Sequence, residues 1–152
     1  MNDDDGPSKR YRRPEGLDDA TVEALGKLSE ALEIIEHARG HLYAFHRLTG
    51  KADFALGDAA ELLRQAGHHE LAKRIEEELV GRNVIEGRWT FQIIDEYDET
   101  YYSPCKELEL QAREKLADGR KHLFEAEMKE DRRTHGLKNH EATAPSLRDL
   151  ES

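Results

Sequence analysis

Glu33, His37 and His41 follow one another at steps of four, the spacing that stacks side chains on one face of a helix. Imidazole nitrogens and carboxylate oxygens are donors for Zn²⁺ and related divalent ions. Asp58 and Glu61 add two carboxylates at a step of three on the next helical pattern. The expected metal set is therefore Glu33, His37, His41, Asp58 and Glu61, with a divalent metal ion as the cofactor they would hold inside a bundle. Helical angle sets a competing reading. Glu33 and His37 fall opposite the apolar stripe of their helix, His41 at its margin and His46 on it. A solvent-facing Glu-His pair and a hydrogen-bonded core histidine have the same spacing.

Two all-α arrangements sharpen the question. A ferritin-type di-iron site needs Glu-x-x-His on two helices, and none of the eight histidines has glutamate three residues before it. The nearest arrangement is His122-x-x-Glu125, in which the order is reversed. All-α nucleotide pyrophosphohydrolases hold Mg²⁺ with Glu-x-x-Glu on one helix and Glu-x-x-Asp on the next. Here Glu33-x-x-Glu36 is followed by Asp58-x-x-Glu61, the second half inverted, so the match covers four residues and no family is assigned. Mg²⁺ favours carboxylates on a rigid frame, which keeps Mg²⁺-dependent nucleotide hydrolysis as an alternative reading. No nucleophile elbow, P-loop, dinucleotide fingerprint, HExxH or zinc-type Cys/His spacing occurs.

The densest acidic stretch joins Glu76-Glu77-Glu78 to Asp95, Glu96, Asp98 and Glu99. Five aromatic residues fall in the same region: Trp89, Phe91, Tyr97, Tyr101 and Tyr102. Steps of three and four place Phe91, Tyr97 and Tyr101 on a core stripe. Trp89 and Tyr102 fall off it, where such rings serve interfaces. Trp89, Asp95, Glu99 and Tyr102 are the expected interaction set. Cys105 follows Ser103-Pro104, which reads as a helix start, so its thiol would feel a helix dipole.

Positioning these groups is the task of a series of helices. Apolar residues recur at helical spacing from Val22 through Leu25, Leu28, Leu32, Ile35, Ala38 and Leu42 to Phe45, predicting a helix over 17–48 that closes at Thr49-Gly50. Further helices are expected over 52–66, 69–80 and 89–102, and one from Ser103 to about Lys129 that Gly119 could divide. The architecture is all-α, an antiparallel bundle of four to five helices over residues 17–130, with disordered tails at 1–16 and 131–152.

Composition bounds the function. The net charge is −10. Each tail carries four acids and four bases, so the whole excess lies on the body. Such a body repels a phosphate backbone, so no nucleic-acid partner is expected. No apolar run reaches the roughly 18 residues of a membrane helix, so no membrane partner is expected either. The first sixteen residues hold no apolar run of a secretory signal, and a single cysteine suits a reducing compartment. The expected location is cytoplasmic. The long first helix outruns a small core, so a homodimer is expected. The leading expectation is an interaction or scaffold module acting through self-association and the acidic, aromatic surface, with a protein partner; metal binding by the bundle is the alternative.

Overall fold

The Asp18 carboxylate accepts a hydrogen bond from the Thr21 backbone N–H at 2.9 Å and begins the first helix. Hydrogen bonding from the Thr21 side chain, then from its backbone N–H, draws the Asp18 pKa below its ordinary value. In the computed structural model, which describes residues 5–143, α1 runs from Asp19 to Gln65 without a break. At about 1.5 Å per residue its 47 residues span roughly 70 Å. Four further helices follow among the described residues: α2 (His69–Glu78), α3 (Thr90–Tyr97), α4 (Ser103–Ala117) and α5 (Leu123–Arg132). A π-helical segment, Asp98–Tyr102, joins α3 to α4. The fold is all-α, and no helix among the described residues is long and apolar enough to cross a membrane.

Gly50 does not end a helix, contrary to expectation. Gly67 and Gly81 do stop their helices, with φ of +90° and +71°. The His68 N–H reaches back to the Leu63 carbonyl and the Gly67 N–H to that of Arg64, the paired bonds of a Schellman cap. Gly50 has no such backbone, and the apolar repeat passes through it from Phe45 to Ala52 and Leu56 in unbroken phase. A Cβ built on Gly50 meets nothing within 4 Å. Gly50→Ala should therefore raise stability by about 0.5–1 kcal/mol in urea unfolding. A destabilised variant would mean that Gly50 is a stop after all.

Ser103-Pro104 marks the start of α4 without opening a free helix end. The Ser103 N–H bonds to the carbonyl of Asp98, five residues back. Proline inside a regular α-helix lacks this donor and its ring meets the carbonyl four residues before it. The wider π turn supplies the room, and the helix runs on through Pro104. Gly119 does divide the last pattern, at φ +72°, between α4 and α5.

The described residues form two compact units, residues 5–33 with 105–143, and Ile34–Pro104. Helix α1 contributes to both. In the first unit, Val22, Leu25, Ala117 and Leu123 make a small core, with Leu17 and Ala112 against it. Gly26 lets α5 approach closely: a Cβ there would stand 3.0 Å from that of Phe124. Glu109 and Arg113 are buried beside this core, bonded to each other at 2.7 Å. Residues 5–16, expected as tail, contain a 3-10 turn at Lys9–Tyr11, and Arg13 donates to Glu127. Beyond α5, Arg133 is buried and pairs with Glu130 and Asp5. The outermost parts of both expected tails, 1–4 and 144–152, lie outside the described residues.

In the second unit, α3 and the π segment run antiparallel to α1, as the pairs His46–Thr90, Arg39–Asp98 and Glu36–Tyr102 show. Helix α2 returns along the end of α1, joined by Arg64–Glu76 at 2.5 Å. The buried apolar residues of this unit are Ala60, Ala72 and Ile94. Phe91 and Tyr101, expected in the core, are more than half exposed at 52% and 54%. One helix face cannot enclose them, so the periodic stripe exists without a cover.

Candidate functional site

The loop after α2 is held over α1 by the Gly81 N–H, which donates to Asp53 at 2.8 Å. Gln92 caps α3 by accepting from the Trp89 N–H at 2.8 Å, and this sets the indole beside that loop. Between them lies a cleft of about 1120 Å³, whose apolar walls include Phe45, Phe54, Leu79, Val84 and Trp89. Phe54 is 79% exposed, so the cleft is an open face. Asp53, Arg82 and Glu86 stand among its lining and put both signs of charge around it.

Farther along the same unit, Arg39 donates from Nε and Nη2 to both oxygens of Asp98, at 2.7 and 2.9 Å. Its guanidinium stands 4.8 Å from the centre of the Tyr102 ring and 4.9 Å from that of Tyr43. The Tyr102 hydroxyl donates to Glu36 at 3.1 Å, and burial, then Glu36, raises its pKa. Arg39 holds the Asp98 carboxyl below its ordinary 3.8, first through hydrogen bonding. A depressed folded pKa means that the unfolded chain takes up the proton first as pH falls. The pair's stabilisation is complete above the unfolded value and is lost as pH drops through the folded one. Asp98→Asn should lower stability near neutral pH and flatten its decline below about pH 4, measured by urea unfolding across pH. An unchanged acid limb would remove the pair from the account.

Set against known proteins, the chain matches no family, no curated protein and no solved structure. Its own geometry therefore carries the assignment.

The expected metal set does not assemble. His37 and His41 do meet, Nε2 to Nε2 at 3.1 Å, with ring centres 4.8 Å apart. Asp58 lies on the same unbroken helix as His41, and seventeen residues at about 1.5 Å each put it roughly 25 Å further on. The predicted hydrolase site needs two facing helices, and the continuity of α1 through Gly50 removes the second. Glu61 instead accepts from Gln65 and Arg64, which lower its pKa, and Asp58 is exposed. His46 is half-buried and bonded to Thr90 Oγ1 at 2.6 Å.

Glu33 has other company. One ligand atom each from Glu33, His122 and Glu125 lies within 4.8 Å of the other two, and all three residues are exposed. His122 precedes α5 with φ of +59°, a left-handed backbone that costs a non-glycine residue about 1–2 kcal/mol. Its ring is bonded to the Glu125 carboxylate. The signal for this pair was present as His122-x-x-Glu125; the proximity of Glu33 has no local signature.

The interaction set also divides. Trp89 lines the cleft, Asp95 and Glu99 are exposed, and Tyr102 is half-buried on Arg39. The acidic run of α2 is paired residue by residue: Glu76 with Arg64, Glu77 with Lys73 and Glu78 with Arg74. Cys105 is half-buried, and because α4 follows directly on the π segment, with the Ser103 N–H bonded to the Asp98 carbonyl, no free helix end lies beside its thiol.

Proposed function

We propose that the chain is a self-associating interaction module, a homodimer formed over the apolar face of Ile34–Pro104. The observation that carries this reading is the core of that unit, whose buried apolar residues are two alanines and one isoleucine. Two alanines and an isoleucine supply too little buried surface to offset the ordering of so many residues. Phe45, Phe54, Leu79, Trp89 and Phe91 are the groups a cover would remove from water. A cover needed for stability has to be permanently present, and a second copy of the chain always is. The mixed charges around the cleft suit a two-fold contact, in which each sign meets its opposite. Asp95 and Glu99, exposed on the same unit, are left for a protein partner, and the single cysteine suits a cytoplasmic setting.

Sedimentation equilibrium of the full chain tests the reading. The expected result is a species of twice 17.4 kDa at micromolar concentration. A monomer at that concentration, folded by circular dichroism, would sink it.

A further inference from the structure

We propose that Glu33, His122 and Glu125 form a binding site for one divalent first-row transition-metal ion, with Zn²⁺ the representative. The three donors come from different places in the fold: the first third of α1, the residue before α5 and the first turn of α5. Ligands around a tetrahedral Zn²⁺ at its usual bond lengths stand roughly 3.3 Å apart. The three ligand atoms already lie within 4.8 Å of one another on exposed side chains, so small rotamer changes close the set. One imidazole with two carboxylates favours Zn²⁺, Mn²⁺ or Fe²⁺ over the all-oxygen sites of Ca²⁺.

Electrostatics points the same way. Two carboxylates converge here, and the nearby arginines are engaged elsewhere. Arg113 donates to Glu109 and to the Gly119 carbonyl, and Arg120 donates to the Arg12 carbonyl. Among the described residues, the ion pairs and hydrogen bonds seen include none to Glu33. A cation would relieve that repulsion. His122 also occupies a left-handed position where glycine or asparagine is the ordinary choice, and the residue found there is a metal-binding one. Bound metal would tie the turn between α4 and α5 to α1 and leave its remaining positions to water. The His37–His41 pair, at 3.1 Å, offers two donors and, among the described residues, no third, so it serves as an internal control.

Isothermal titration of tag-free full chain with ZnCl₂ is the test. One equivalent should bind. Glu33→Gln and His122→Asn should each weaken binding at least about tenfold, while His37→Ala leaves it unchanged. Asparagine tolerates the left-handed backbone at 122, and Glu33→Gln decides the matter if that variant fails to fold. No one-equivalent binding up to millimolar Zn²⁺, unchanged affinity in both site variants, or a loss on His37→Ala overturns the proposal. The site lies outside Ile34–Pro104, so the oligomeric state does not bear on the result.

Discussion

Phe54→Asp is expected to break the proposed dimer and, with that cover gone, to lower the stability of the Ile34–Pro104 unit. Phe54 is 79% exposed on α1, so its ring contributes almost nothing to the core of its own chain. Aspartate there costs only the few tenths of a kcal/mol by which its helix propensity falls below that of phenylalanine. Under a second copy the ring leaves water, a gain of about 1.5–3 kcal/mol. A carboxylate at the same place is desolvated without a partner, which adds to the loss. Together these raise the dissociation constant at least about 100-fold, since each 1.4 kcal/mol is a factor of ten. Sedimentation equilibrium at matched concentrations, with circular dichroism as the folding check, reads this out. A variant that sediments like the parent would show that the cleft does not lie in the interface.

Arg113→Ala should produce the largest loss of stability of any exchange considered, about 3–5 kcal/mol. The Arg113 and Glu109 side chains are 8% and 7% exposed and pair at 2.7 Å. Glu109 also accepts from the Ser29 hydroxyl at 3.0 Å. Removing Arg113 leaves a buried carboxylate with one neutral donor, and also strips the Gly119 carbonyl of the Arg113 bond at 2.9 Å. The penalty lies in the stranded charge. Glu109→Leu together with Arg113→Met should therefore cost far less than Arg113→Ala alone, because no charge is left buried. Urea unfolding of the two variants measures the difference. Equal losses would show that shape, and not charge, governs this part of the core.

The engaged arginines follow one pattern. Arg13, Arg39, Arg113 and Arg133 each bind a carboxylate from a part-buried or buried position. A thin apolar core thus relies on charge-assisted bonds, which are stronger than neutral ones. None of these pairings except Glu109–Arg113 and Glu130–Arg133 has a local spacing that would reveal it.

Helical periodicity by itself determined the all-α class, the starts near Asp18, His69 and Trp89, and the stops at Gly67 and Gly81. These depend on bonds within one or two turns, and the residues that make them are neighbours in the sequence. Composition placed the acidic excess on the body of the chain in the same way. Gly50 and Pro104 could not be read locally. A glycine stops a helix only where φ turns positive, and a proline opens one only where the preceding turn does not widen to receive it. Continuity through Gly50 separated Asp58 and Glu61 from the histidines. Tertiary structure alone brought Glu33 to His122 and Glu125, set Arg39 on Asp98, and left the stripe of α1 and α3 uncovered. Periodicity reports which face of a helix is apolar. What covers that face is decided by a second surface, and within Ile34–Pro104 the chain supplies too little of one.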